Sequence, residues 1–183
     1  VAVNLSPVQF GRDDLADTIH AILLETGLSP RRLEVEVTES TIMSDQSRGL
    51  HILRKLKAMG ISVSMDDFGT GYSSLATLHA FPFDKIKLDQ SFVKRLPEDA
   101  AAAAIVRTVL ALGASLGMPV LAEGLETEAQ WQFLDDAGCA KGQGYLFARL
   151  ASLGQLPAAI DAAARFVRDA PRATTNLRAT AAA

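Results

Sequence analysis

Several things are scarce in this chain, and each scarcity excludes something. Among 183 residues there is one cysteine, Cys139. A lone thiol rules out an intrachain disulfide and suits a reducing compartment. There is no basic excess: 18 lysines and arginines face 21 aspartates and glutamates, a net charge of −3. That balance leaves no electrostatic footprint for a nucleic-acid polymer or an anionic membrane. There is no long apolar run either. The longest, Thr108 to Ala122, is short for a membrane span and contains Pro119. The first 30 residues carry neither a basic start nor a continuous apolar segment, so no signal peptide is read there. The three histidines, His20, His51 and His79, fall at unrelated positions in helical segments, which argues against zinc. No Gly-x-Ser-x-Gly elbow is present, which argues against the usual serine hydrolase. Gly69-x-Gly71 lacks the third glycine of a dinucleotide fingerprint.

What is present reads as one domain with a sizeable core. Hydrophobic residues make up 49% and charged residues 21%. Val1 to Leu5 reads as a strand, and Ser6-Pro7 as a helix start. Leu15, Ile19, Ile22 and Leu23 keep helical spacing up to Gly27. Leu33 to Val37 alternates, valines one way and glutamates the other. A helix follows through Leu50, Leu53 and Leu56 to Gly60. Ile61 to Met65 is an apolar strand, and the short helix after its loop carries Leu75 and Leu78. Phe83 to Asp89 alternates again, with Ile86 and Leu88 opposite Lys85, Lys87 and Asp89. Ala100 to Leu116 reads as a helix with Ile105, Val109 and Leu112 along one side. Pro119 to Ala122 is a strand, Thr127 to Ala137 a helix, Gly144 to Phe147 a last strand and Leu156 to Val167 a last helix. Strands alternating with helices predict a parallel α/β architecture, either an open doubly wound sheet or a (β/α)8 barrel. Polar residues at the strand carboxyl ends favour the barrel, whose sites are built there. About six β/α units are readable. The barrel domain is predicted over 1–168, incomplete at its N-terminus. Residues 169–183, rich in Ala, Thr and Arg, are predicted to be a disordered tail.

Asn4, Glu36, Glu39, Asp66, Asp67, Lys87, Glu123 and Gln143 stand at or just past these strand ends. Asp66 and Asp67 are adjacent, and two carboxylates that close repel unless something positive lies between them. Oxygen-rich clusters of this kind suit Mg²⁺ or Mn²⁺. Two such ions about 3.5–4 Å apart serve in-line attack at phosphorus. Each residue also has a plainer reading. Asn4 could cap a turn, Lys87 could pair with Asp89 or Glu36, Glu123 could cap the next helix, and Gln143 could belong to a turn. Their repeated placement at strand ends favours a shared site and a metal-dependent barrel enzyme acting on a phosphoester.

The motifs Asn4-Leu5-Ser6, Glu36-Val37-Thr38-Glu39-Ser40, Asp66-Asp67-Phe68-Gly69-Thr70-Gly71-Tyr72-Ser73-Ser74-Leu75, Lys87-Leu88-Asp89, Ala122-Glu123-Gly124-Leu125-Glu126 and Gly142-Gln143-Gly144-Tyr145 match a known pattern in order and spacing. Over Val1 to about Leu150 the chain resembles the EAL-domain cyclic-di-GMP phosphodiesterases of bacterial signalling. The resemblance implies a modified TIM barrel with one antiparallel strand. It implies hydrolysis of cyclic di-GMP to linear pGpG with two Mg²⁺ or Mn²⁺ ions. Asn4, Glu36, Asp66 and Asp67 would be metal ligands, Asp66 bridging the two ions. Lys87 and Glu123 would handle the water nucleophile and the phosphate. Glu39, Phe68, Gly69, Thr70, Gly71, Glu126, Gln143 and Tyr145 would bind substrate or anchor the loop after Asp67. It further implies a homodimer through that loop and helix, and a cytoplasmic site of action. The parent could carry a fused sensory or GGDEF domain upstream and a membrane tether elsewhere. Two departures stand out. The Glu-Ala-Leu motif that names the family, with its metal-binding glutamate, belongs on a strand upstream of Asn4 and is not in this chain. Phe147-Ala148-Arg149-Leu150 stands where a Ser-Arg-Pro-like ending is common. The first departure keeps an alternative open: a catalytically inactive module that binds cyclic di-GMP or a protein partner. It also predicts two open sheet edges.

Overall fold

The computed structural model describes residues 1–69, 78, 80–149 and 152–169. Six short strands are β1 (Ala2–Asn4), β2 (Glu34–Thr38), β3 (Ser62–Phe68), β4 (Lys85–Leu88), β5 (Val120–Ala122) and β6 (Lys141–Gly142). They form one sheet in chain order, every neighbouring pair parallel. That order decides between the two predicted architectures. A doubly wound sheet reverses its strand order at a switch point. Here each strand docks beside the one before it, so right-handed crossovers carry every helix to the same face. A sheet covered by helices on one face curls around the other, and the fold is α/β of the TIM-barrel type. Among the described residues β1 pairs only with β2 and β6 only with β5, so both predicted edges are open.

The helices are α1 (Pro7–Phe10), α2 (Leu15–Thr26), α3 (Glu39–Met43), α4 (Gln46–Ala58), α5 (Gln90–Val93), α6 (Ala100–Leu116), α7 (Glu128–Asp136) and α8 (Leu156–Asp169). Their starts follow from side-chain caps. Ser6 and Gln9 make a capping box at α1, and Thr127 and Gln130 make another at α7. Asp45, Asp89 and Asp99 cap α4, α5 and α6. The core lies between sheet and helices. Val35, Val37, Val63, Met65, Ile86 and Leu88 point outward from the strands and are fully buried against α-helical leucines such as Leu53 and Leu56. The alternate strand positions, Glu34, Glu36, Lys85 and Lys87, face the concave side. No helix of the described residues is long and apolar enough to cross a membrane.

Three sequence expectations need correction or placement. The last strand is Lys141–Gly142, not Gly144 to Phe147. The latter segment is a turn, closed by the Phe147 amide on the Gly144 carbonyl at 3.1 Å. Its apolar residues serve a corner instead: Phe147 meets Trp131 and Phe166 edge-on at 5.6 and 5.7 Å. The packed side of α6 runs through Ala102, Val106, Val109 and Gly113, while Ile105 is 37% exposed. A Cβ on Gly113 would lie 2.5 Å from Val120, so small residues let this helix approach the sheet closely. The helix predicted after Asp67 lies outside the described residues except for Leu78, which is buried, and Ala80, which is exposed. The dimer surface expected there and the predicted tail beyond Asp169 also lie outside them.

Candidate active site

The parallel register lines up the strand carboxyl ends. Asn4 sits beside Glu36 on neighbouring strands, and Glu36 beside Ser64, one step below Asp66. Lys87 on β4 sits beside Leu121 on β5, and Glu123 lies just past the end of β5. The side chains meet on the concave side. The Lys87 ammonium lies 2.6 Å from Glu36 Oε2, 2.9 Å from Asp66 Oδ1 and 2.8 Å from Glu123 Oε1. Gln143 donates from Nε2 to Glu123 Oε1 at 2.7 Å. Glu36, Asp66 and Lys87 are buried. The structure thus brings Asn4, Glu36, Asp66, Lys87, Glu123 and Gln143 into one cluster. The plainer expectation of a Lys87–Glu36 pair holds too, but as one arm of three.

One ammonium serves three carboxylates, and the protonation balance shows it. Burial works against the charged form of Lys87, yet its bonds to Glu123, Glu36 and Asp66 outweigh burial and hold its pKa above the ordinary lysine value. Glu123 is pushed up by burial. Asp66 and Glu36 add repulsion, and Lys87 only partly offsets the rise. Glu123 is therefore a carboxylate with raised proton affinity, held at Oε1 by both Lys87 and Gln143.

Asp67 is placed differently from Asp66. The β3–β4 register shifts between Met65 and Phe68, and Asp67 takes a left-handed φ of 54°. That irregularity removes the alternation that would have sent Asp67 to the helix side. Its amide donates to Asp66 Oδ1 at 3.1 Å. Its carboxyl is raised first by burial and then by Asp66 and Asp89, with which it shares a hydrogen bond. Asp89 is a site neighbour that sequence reasoning left out. The signal was available, since Lys85, Lys87 and Asp89 share one face of the strand. Among the remaining predicted residues, Glu39 opens α3 and is buried, and Phe68 ends β3 and is buried. Gly69 turns the chain at a φ of 99° beside Phe92. Thr70 and Gly71 lie outside the described residues. Glu126 and Tyr145 are exposed, and neither side chain joins the cluster. Arg149 stacks over the Tyr145 ring at 5.3 Å, beside a cleft of about 570 Å³ that reaches Glu123 and Gln143.

Among the described residues no three His, Cys, Asp or Glu side chains gather as a metal cage. The donors that do converge are two carboxylates and an amide. One terminal atom of the Asn4 amide lies 3.0 Å from Asp66 Oδ2 and 3.2 Å from Glu36 Oε2. As nitrogen it donates to both. As oxygen it joins them in an all-oxygen corner. Around an octahedral Mg²⁺ with bonds of about 2.0–2.1 Å, neighbouring ligand oxygens lie about 2.9 Å apart. The spacing and chemistry of Asn4, Glu36 and Asp66 therefore fit a small divalent cation.

The loops after β5 and β6 hold Glu123 and Gln143 by backbone bonds. The Leu125 amide donates to the Gln143 carbonyl at 3.1 Å, and the Leu146 amide to the Leu125 carbonyl at 2.9 Å. Gly144 runs against Leu125, where an added Cβ would lie 2.2 Å from the Leu125 carbonyl oxygen. Gly144→Ala is expected to part the two loops at a cost of about 1–3 kcal/mol. It should also release Gln143 from Glu123. Urea denaturation checks the first effect and the NMR signal of the Gln143 side-chain amide the second. An alanine variant that keeps both the stability and that signal would count against this loop pairing.

Comparison with known proteins identifies the family. A family model described as EAL domain matches residues 1–150. An uncharacterized signaling protein of Caulobacter vibrioides is 53% identical over 162 residues, covering 88% of this chain and 19% of that protein. MucR of Pseudomonas aeruginosa, a bifunctional diguanylate cyclase/cyclic di-GMP phosphodiesterase, is 46% identical over 160 residues, covering 87% of this chain and 23% of that protein. The chain thus spans about a fifth of the length of these relatives. The MucR phosphodiesterase in complex with c-di-GMP superposes with a TM-score of 0.81 at 47% identity, covering 85% of this chain and 63% of that one. The manganese/c-di-GMP complex of BlrP1 from Klebsiella pneumoniae superposes with a TM-score of 0.75 at 36% identity, covering 81% of this chain and 38% of that one. With a matched family model over most of its length and the same fold as these c-di-GMP complexes, this chain belongs to the EAL domain family.

Proposed function

We propose that this chain carries the hydrolytic centre of a cyclic di-GMP phosphodiesterase. The reading covers an EAL-type domain over 1–168. The carrying observation is the ring of Glu36, Asp66 and Glu123 about Lys87, with Asn4 at its side, at the mouth of a barrel-type sheet. The relatives named for cyclic di-GMP, and the manganese complex among them, support the substrate and the metal.

In this reading Asn4, Glu36 and Asp66, with Asp67 as their neighbour, would hold Mg²⁺ or Mn²⁺. A divalent ion in such a site supplies an acidified water and neutralises charge on the phosphate. The chain's own groups do the rest. Glu123, with its raised proton affinity, accepts a proton from the attacking water. Gln143 keeps Glu123 oriented through its 2.7 Å bond. Lys87 presents a permanent positive charge where the phosphoryl oxygens gain negative charge. One phosphodiester bond opens: the water oxygen joins phosphorus as the bond from phosphorus to the 3′ oxygen breaks, and the proton taken up by Glu123 balances the one the leaving 3′ oxygen gains. The product is linear pGpG.

The test is turnover of cyclic di-GMP with Mn²⁺, by the chain and by the chain within its parent protein, with the product identified. Turnover to pGpG that a chelator abolishes and Mn²⁺ restores is the expected result. Binding of cyclic di-GMP by the parent protein without turnover would sink the catalytic reading and leave a binding module.

The raised carboxyls also set a pH trend. A carboxyl held above its unfolded value adds stability that is present at acid pH and lost as pH rises through the folded value. Glu123 and Asp67 are both of this kind. Without metal, the chain is expected to lose stability as pH rises through their raised range. The gain in melting temperature on adding Mn²⁺ should grow over the same interval, because the carboxylates bind metal only once deprotonated. A metal gain that is flat from acid to neutral pH would contradict this.

A further inference from the structure

A second charged layer lies beneath the ring. Strand residues two apart share a face, so Glu34, Ser64 and Lys85 sit one step below Glu36, Asp66 and Lys87 on the same three strands. Lys85 Nζ is 2.7 Å from both oxygens of Glu34. Ser64 donates to Glu34 Oε1 at 3.0 Å. The Lys85 and Glu34 side chains are 19% and 21% exposed, so the pair is largely enclosed. Burial opposes the charge on Glu34. Its bonds to Lys85 and Ser64 prevail, and the field of Lys87 contributes to holding it below the usual carboxylate range.

Counting donors shows what this layer does for the one above. An ammonium has three N–H donors. Lys87 has three carboxylate partners, one oxygen from each of Glu36, Asp66 and Glu123. Glu34 is the next carboxylate down the same face. Two residues of strand rise about 6.6 Å, a span that a lysine side chain covers. Lys85 already neutralises Glu34, bonding both its oxygens, so Glu34 exerts little net pull on Lys87.

We propose that Lys85 is a positioning residue: by neutralising Glu34 through both of its oxygens, it leaves all three donors of Lys87 for Glu36, Asp66 and Glu123. The catalytic meaning rests on the reading of Lys87 as part of the reacting centre, but the placement of Lys87 can be measured without it. Removing the Lys85 charge sets four carboxylates against one ammonium. Removing Lys85 and the Glu34 charge together restores the balance.

The experiment follows the side-chain ammonium ¹H–¹⁵N signals of the lysines, with Lys87 assigned by its loss in Lys87→Arg. An enclosed ammonium with three partners exchanges slowly and gives a signal. Lys85→Met is expected to lose or shift that signal, Lys85→Arg to keep it, and Glu34→Gln/Lys85→Met to restore it. In the parent protein, kcat should fall by about tenfold in Lys85→Met with KM within about twofold, and recover in the double variant. A merely structural role would track the melting temperature and leave this split unmoved. A Lys87 signal unchanged in Lys85→Met overturns the proposal. So does its loss in the double variant, which also decides the matter should Lys85→Met fail to fold. Undiminished turnover by Lys87→Ala would instead strike at the catalytic reading, leaving the signal to judge the positioning.

Discussion

Lys87→Met is expected to abolish turnover and to cost about 3–5 kcal/mol of folding stability, the range found when one partner of a buried ion pair is removed. The size follows from the geometry. Lys87 is 3% exposed and is the one cation within reach of Glu36, Asp66 and Glu123 among the described residues. A methionine fills the same space with no charge, so packing is kept and three carboxylates face one another. Two responses follow. The carboxyls should take up protons, moving the stability maximum toward acid pH. Mn²⁺ should recover part of the lost stability by supplying positive charge from the Asn4 side, without recovering turnover. Urea denaturation across pH, with and without Mn²⁺, measures all three. A loss within about 1 kcal/mol, the range of exposed pairs, would mean that the ring is more solvated than its burial indicates.

Asp66→Asn is expected to do the reverse to stability and as much to activity. Asp66 touches Lys87, Asp67 and Asn4 at once. One oxygen meets Lys87 at 2.9 Å and the Asp67 amide at 3.1 Å, and the other lies 3.0 Å from the Asn4 amide. The amide keeps the shape but removes one of three repelling charges, and Lys87 keeps Glu36 and Glu123. The melting temperature without metal should hold or rise. Turnover should fall by more than about a hundredfold, beyond what losing a partner of a metal ligand costs. The metal-dependent gain in melting temperature should shrink with it. A stable variant that still turns over within tenfold of the parent, and still gains stability from Mn²⁺, would remove Asp66 from the centre.

The strand ends were legible in the sequence because their chemistry and period are local. Glu36 and Lys87 can be assigned to a concave face from the valines and isoleucines that alternate with them. The β/α rhythm, the caps at Ser6 and Thr127, and the choice of a barrel-type sheet come from similarly short-range signals. What was not legible depends on how distant pieces meet. The Asp67 conformation depends on a register shift against β4, and no pattern within Ser62–Phe68 announces it. Of the apolar row on α6, Val109 is buried but Ile105 is not, because Gly113 and Ala102 pack in its place. Close approach, which a hydrophobic period cannot express, decides that face. The apolar stretch after Gln143 has the composition of a strand, but the Trp131–Phe147–Phe166 corner claims it. The Glu34–Lys85 layer was missed because each member, taken alone, reads as an ordinary surface charge.

Strand order has a kinetic consequence. Each β/α unit contributes about one group to the cluster, so the centre is assembled in the order in which the chain leaves the ribosome. Lys87 and Glu36 are 51 positions apart, and Glu123 and Gln143 20 apart. None of these contacts can form until whole intervening helices have docked, and such non-local closures are slow steps of folding. A nascent or partly unfolded chain therefore holds separated carboxylates that neither gather a cation nor trap Lys87. Acquisition of the slowly exchanging Lys87 ammonium would then report completion of the sheet from β2 to β5, a built-in marker of maturation that precedes any encounter with a nucleotide.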